Sequence, residues 1–251
     1  NERVRDRTLR SGAAYVVFGP VRDERNLSNA DLRLRGADSR DRAGWSVSNA
    51  GDLNNDSVAD VIIGAPFADP DGRSAAGSAY VVFGGADRSG ERSLADADVA
   101  YTGAAPDDRA GTSVSAAGSG DVTCDGVDDV LIGAPGNDTG GTDAGAVYVA
   151  AGGRSLPDSV PLGTIEATVT GASAGDAAGQ SVSEAGDVDG DGFEDVVVGA
   201  PFADQGTASD AGAAYVLLND CTATPPTPPR EPVVTAVDCR DDGGRLFVRN
   251  P

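Results

Sequence analysis

Acidic side chains recur in this chain at a spacing suited to holding a hard cation. Asp187-Val-Asp189-Gly-Asp191-Gly-Phe193-Glu-Asp195 puts carboxylates at positions one, three, five and nine of a nonapeptide, with Gly192 after the third. Oxygen ligands so spaced converge on one point, and the glycine lets the backbone turn sharply enough for the position-seven carbonyl, Phe193, to join them. A donor set of six or more oxygens suits Ca²⁺, whereas Mg²⁺ demands stricter octahedral geometry and keeps more of its water.

The pattern occurs three times. Asp52-Leu-Asn54-Asn-Asp56-Ser-Val58-Ala-Asp60 and Asp121-Val-Thr123-Cys-Asp125-Gly-Val127-Asp-Asp129 share its spacing, and each of the three runs into a short β-rich stretch ending in Gly-Ala-Pro. A lone acidic turn could bind nothing; a set with one spacing and one sequel argues for up to three calcium sites. Ligand charge tunes affinity, so the last loop ranks above the first, which has Asn54 at position three, and the middle loop, with Thr123 there, ranks lowest.

The elements around these loops repeat as well. Tyr15, Tyr80, Tyr148 and Tyr215, each in a Gly-X-X-Tyr-Val type of run, lie 65, 68 and 67 residues apart, and Ala43-Gly44, Ala110-Gly111 and Ala178-Gly179 open Gly-X-Ser-Val-Ser runs 67 and 68 apart. A period of this length is the mark of a repeat architecture. Each unit reads as four strands: the small, alternating Gly-X-Ser-Val-Ser run; after the acidic loop, the run apolar on both faces before Gly-Ala-Pro; the Tyr-Val run; and a fourth such as Asp31-Leu-Arg-Leu-Arg-Gly36. No long stretch has a helical period. Runs such as Val61-Ile-Ile63 need cover on both sides, which stacked sheets give, so the chain is expected to be all-β: blades of four antiparallel strands in a partial β-propeller of about three to four blades. The pattern covers residues 1–219. Residues 220–232 read as a Thr/Pro-rich, semi-rigid linker, and 233–251 as the start of a further β-domain or a C-terminal hairpin.

Composition narrows the partners. The net charge is −21, with 40 acidic residues against 19 basic ones that are all arginine. Such a surface disfavours nucleic acid and anionic lipid, and no run approaches the length of a membrane helix. The acidic, lysine-free bias resembles proteins of salt-loving microbes, a GC-rich genome being the alternative source. Cys221 and Cys239 bracket the Pro-rich segment and could close a disulfide, leaving Cys124 over. Sequons at Asn26, Asn55 and Asn137 add to an extracellular or cell-surface expectation, although Asn55 lies inside a metal loop.

The ordered combination of Gly-X-Ser-Val-Ser, acidic loop, Gly-Ala-Pro and Gly-X-X-Tyr-Val resembles the FG-GAP repeats of the integrin α-subunit propeller and its microbial relatives. The resemblance implies a calcium-stabilised propeller used for adhesion, assembly or as a rigid platform. Carried over by position, it implies ligands at Asp52, Asn54, Asp56, the Val58 carbonyl and Asp60; at Asp121, Thr123, Asp125, the Val127 carbonyl and Asp129; and at Asp187, Asp189, Asp191, the Phe193 carbonyl and Asp195. The Phe of the family's Phe-Gly pair is Ala43, Ala110 and Ala178 here, which removes a packing group.

With no histidine, imidazole acid-base chemistry, a Ser-His-Asp triad and His-ligated zinc are excluded. Asp69, Asp138 and Asp204 are expected to cap Gly-rich turns, and Arg35, Arg42 and Arg109 to pair with surface carboxylates. The expected function is a non-enzymatic calcium-binding module of the cell surface or exterior, meeting a protein or glycan at a propeller face, or other copies of itself. The alternatives are a structural subunit of an appendage, sheath or virion, and the non-catalytic propeller of a secreted hydrolase.

Overall fold

The computed structural model describes residues 10–86, 88–116, 121–221 and 235–236. The chain forms β-propeller blades in sequence order. The first contributes β1 (Ala13–Val16) and β2 (Leu32–Arg35), paired antiparallel. The second holds β3 (Ser46–Gly51), β4 (Asp60–Ala65) and β5 (Ser78–Val82), then, after β6 (Gly90–Ser93), β7 (Val99–Thr102). The third holds β8 (Ser113–Ala116), β9 (Val130–Ala134), β10 (Ala146–Ala150) and, after β11 (Ser159–Pro161), β12 (Thr168–Thr170). The fourth holds β13 (Ser181–Gly186), β14 (Asp195–Ala200) and β15 (Ala213–Leu217). Thr235–Ala236, β16, lies antiparallel beside Tyr215 and Val216 as its fourth strand.

Cores lie between sheets, which is why the second strand of each blade is apolar on both faces. Leu32 and Leu34 of the first blade meet Ile63 and Tyr80 of the second. Ile62 points the other way, into a layer with Val114, Ile132 and Tyr148 of the third. Leu131 and Val147 then meet Val182, Val196 and Val198 of the fourth. Where no neighbouring first strand lies among the described residues, the same position opens: Val47 is 60% exposed while its equivalents Val114 and Val182 are 7% and 9%. Val47 lines, with Tyr15 and Ile63, a groove of about 510 Å³ beside β1.

Two strands depart from the simple four-stranded expectation. β6 leaves the connection between β5 and β7 and pairs parallel to β2 of the preceding blade; β11 does the same to β7. Each is followed by a one-turn 3-10 helix whose leucine, Leu94 or Leu162, plugs the junction between blades. Leu27 holds the same place before β2, with no blade beyond it among the described residues, and is 55% exposed where Leu94 is 1%. Parallel pairing needs a crossover connection, and here the crossover straps one blade to the next. Cross-strand ion pairs reinforce the strap: Arg33 and Arg35 reach Glu91 on β6 at 3.1 and 3.5 Å.

The repeated small residues have a common cause. The hydroxyl of Ser46 donates to the Gly111 carbonyl at 2.9 Å, and that of Ser113 to the Gly179 carbonyl at 2.7 Å, so each first strand is bonded to the next blade. A Cβ on Gly64 would sit 2.0 Å from Gly111 O, and one on Gly133 2.1 Å from Gly179 O. The glycine of Gly-Ala-Pro is therefore fixed by the close approach of neighbouring blades. Ala43, Ala110 and Ala178 are buried in the three core layers, their backbones bridged in parallel to Gly12, Gly77 and Gly145.

Candidate metal site

Each acidic loop closes the hairpin between the first and second strands of its blade. In the last loop, Asp187 accepts from the N–H groups of Gly190, Asp191 and Gly192 at 2.6, 3.1 and 3.0 Å. Asp189 accepts from Asp191 N–H at 3.1 Å, and Asp191 from Phe193 N–H at 2.9 Å. Asp195 begins β14 and is held by Val188 and Asn219 N–H at 2.7 and 2.9 Å. The backbone thus holds both oxygens of Asp187 and Asp195 and one each of Asp189 and Asp191, through interlocking Asx-type turns and contacts to the strand ends. Carboxylate oxygens of Asp187, Asp189 and Asp195 lie within 4.8 Å of one another.

The other loops follow the same plan with weaker charge. In the first, Asp52 accepts from Asp56 and Ser57 N–H at 2.8 and 2.7 Å, Asp56 from Val58 N–H at 2.8 Å, and Asp60 from Leu53 and Gly84 N–H at 3.0 and 2.8 Å. Asn54 turns its amide onto Asp56, its oxygen on the N–H and its nitrogen on the carboxylate, both at 3.0 Å. In the middle loop, Asp121 accepts from Asp125 and Gly126 N–H at 2.8 and 2.7 Å, and Asp125 from Val127 N–H at 2.9 Å. Asp129 gathers Val122, Thr123 and Gly152 N–H at 2.9, 2.7 and 3.0 Å, and the Thr123 hydroxyl also points to it at 3.4 Å. Among the described residues, only the last loop brings three carboxylates together, in keeping with Asn54 and Thr123 at position three of the others.

The electrostatics are those of crowded and partly buried like charges. Asp60, Asp129 and Asp195 are at most 1% exposed. Burial, with a smaller push from the Asp56 and Asp125 charges respectively, raises the Asp60 and Asp129 carboxyls above the ordinary range. Asp189 is raised too, by desolvation and then by Asp191, Asp195 and Asp187. Ion pairs among the described residues involve Asp31, Asp71, Glu91 and Asp98. The donors are all oxygen, and Cys124 is committed to a disulfide. Such a set fits a hard divalent cation.

That disulfide corrects the sequence expectation. Cys124 bonds to Cys221, 97 residues away, with Cα atoms 5.6 Å apart; Cys239 lies outside the described residues. The end of β15 returns beside the middle loop, a proximity set by blade stacking. Asn137 is buried, and its amide nitrogen donates to the Tyr148 hydroxyl at 3.1 Å and to Asp108 at 3.4 Å, so that sequon has no room for a glycan. Asn26 is exposed and caps a turn through Ser28 N–H at 2.9 Å.

Asp69, Asp138 and Asp204 do cap their turns, accepting from Ala75, Asp143 and Asp210 N–H at 2.7, 2.8 and 2.9 Å. Of the arginines, Arg35 pairs with Glu91, whereas Arg42 lies over the Phe67 ring at 4.1 Å and the Trp45 ring at 5.8 Å. Buried Asp41, Asp108 and Asp176 escaped the sequence reading. Each accepts from an N–H three residues before it, at 2.7, 2.9 and 3.0 Å, and ties the turn entering a blade. Their recurrence two residues before each Ala-Gly landmark was the available signal.

Comparison with known proteins agrees with this architecture. The FG-GAP repeat model matches residues 43–82, 113–150 and 178–217, and each match runs through the first three strands of a blade. This is an FG-GAP repeat protein. The FG-GAP chain is 34% identical over 170 residues to phosphatidylinositol-glycan-specific phospholipase D of Bos taurus, covering 66% of this chain and 19% of that protein. It is 34% identical over 190 residues to integrin alpha-5 of Xenopus laevis, covering 74% and 17%. With integrin alpha pat-2 of Caenorhabditis briggsae it shares 35% over 133 residues, covering 51% and 10%. The FG-GAP chain thus spans less than a fifth of the length of these relatives.

Proposed function

We propose that this chain is a calcium-stabilised propeller segment of an extracellular or cell-surface protein, serving as a non-enzymatic platform for adhesion or assembly. The observation that carries the reading is the convergence of Asp187, Asp189 and Asp195 at the end of a blade whose loop pattern recurs twice more. Bound calcium would neutralise carboxylates that otherwise repel one another and would tie the first strand of each blade to the second. Asp52, Asn54, Asp56, the Val58 carbonyl and Asp60 would hold one ion. Asp121, Thr123, Asp125, the Val127 carbonyl and Asp129 would hold another, and Asp187, Asp189, Asp191, the Phe193 carbonyl and Asp195 the third.

The partner is a protein or glycan on a propeller face, or another copy of the chain. The acidic surface argues against nucleic acid, and no helix among the described residues is long and apolar enough to cross a membrane. The likeness to the phospholipase D supports a second reading, in which this propeller is the non-catalytic part of a larger secreted hydrolase.

Thermal melting at fixed ionic strength tests the metal reading. An ion at 100 times its Kd stabilises by about 2.7 kcal/mol per site, or roughly 5–11 °C at 2–4 °C per kcal/mol for a domain of this size. Asp191→Ala should remove the last loop's share of the gain and Thr123→Ala little of the middle loop's. Equal melting temperatures in calcium and in chelator would refute the proposal.

A further inference from the structure

The middle loop reaches across a blade junction into the first. One carboxylate oxygen of Asp128 accepts from the Asp52 N–H at 2.6 Å, a contact spanning 76 residues. Gly51, at φ +68°, makes room for it, since a Cβ there would lie 2.2 Å from that oxygen. Beside it, Gly153 N–H donates to the Leu53 carbonyl at 2.8 Å. Residues 51–53, the entry to the first loop, are therefore clamped by the third blade. What they orient matters: the Asp52 carboxylate holds the N–H groups of Asp56 and Ser57 and so shapes the rest of its loop.

Asp128 occupies position eight of its own loop, between Val127 and Asp129. Both neighbours belong to the middle loop's proposed donor set, so an ion there would fix the backbone on either side of Asp128. Asp129 is anchored by Gly152 N–H, next to the residue that holds Leu53. The last loop supplies an internal comparison. Gly186 matches Gly51 in place and conformation, at φ +71°, yet a Cβ there would meet nothing within 4 Å, because no blade follows it among the described residues. Position eight of the first loop is Ala59, which has no side-chain acceptor to offer.

We propose that Asp128 couples the first and middle loops: it positions the first ligand of the neighbouring loop, so that an ion bound in the middle loop raises the affinity of the first. The inference rests on the calcium reading above and adds to it a coupling between the middle loop and the first, felt equally at both sites. Asp128 is a positioning residue and not a ligand.

The test is calorimetric titration of the full chain with CaCl₂, its last loop disabled by Asp187→Ala and Asp191→Ala. The first-loop heat is identified by its loss in Asp56→Ala. Disabling the middle loop with Asp125→Ala should weaken the first loop roughly tenfold, within the usual range of coupling between sites. The same change should have less than about a twofold effect once Asp128→Ala is also present. Asp128→Ala alone should cost the first loop roughly tenfold, while Asp128→Asn, whose amide oxygen still accepts from Asp52 N–H, should stay within about threefold. Circular dichroism confirms that each variant is folded. First-loop affinity unchanged in folded Asp128→Ala, or Asp128→Asn as weak as Asp128→Ala, would overturn the coupling while leaving the metal loops standing. Absence of any calcium heat in the unsubstituted chain would instead sink the metal reading, and the coupling with it.

Discussion

Replacing Gly133 with alanine tests how the blades are held together. A Cβ at this position would lie 2.1 Å from the Gly179 carbonyl oxygen and 2.2 Å from Ser113 Oγ, both across or at the junction of the third and fourth blades. The Gly179 oxygen is backbone of the neighbouring blade, so sheets must separate. Overpacking of this kind costs about 1–3 kcal/mol. Separation also disturbs one hydrogen bond across the junction, Ser113 Oγ to Gly179 O at 2.7 Å, worth about 1 kcal/mol. The expected loss is about 2–4 kcal/mol, a fall in melting temperature of roughly 4–16 °C in calcium. Gly175→Ala is the matched control. Gly175 sits at φ +89°, and a methyl added there would meet nothing within 4 Å, so only backbone strain of about 1 kcal/mol is at stake. Calorimetric melts of the two variants should differ by several degrees. Gly133→Ala melting no lower than Gly175→Ala would refute the claim that contact between blades selects this glycine.

Other expectations follow from single features. Reducing the Cys124–Cys221 bond, or Cys124→Ser, should cost about 4–5 kcal/mol on the chain-entropy account of a closed loop near 100 residues; peptide mapping that recovered a Cys221–Cys239 link would contradict the assignment. Leu94→Ala should cost about 2–5 kcal/mol and Leu27→Ala under about 0.5, because one leucine is buried between blades and the other is exposed; denaturant titration compares them. Asp98 gives a pH dependence. Burial pushes its carboxyl up, but the hydrogen bond from Arg92, the Phe83 N–H and the Arg92 and Arg88 charges outweigh it and hold the group below its ordinary 3.8. Its contribution is therefore present above pH 3.8 and lost as pH falls through the lowered folded value. The stability gap between the wild-type chain and Asp98→Asn should be widest near pH 7 and close in strong acid; a gap that does not shrink would remove the ionic explanation.

Local chemistry written in the chain accounts for the acidic loops, the strand alternation and the period near 67. Aspartates two apart bend their own backbone through N–H contacts a few residues away, as Asp187, Asp189 and Asp191 do. Doubly apolar Val61-Ile-Ile63 likewise demands cover on both faces wherever it lies. Contacts between units were decided only by stacking. Cys124 meets Cys221 because the end of β15 returns beside the middle loop, and Asp128 meets Asp52 because adjacent hairpins converge. The crossover strands β6 and β11 had no distinguishing run of their own; short and largely exposed, they are set by the leucine that follows each and by the edge they find on the preceding blade. Interactions within a few residues are legible from residue type and spacing, while those across 76 or 97 residues depend on how far each sheet is turned against the next.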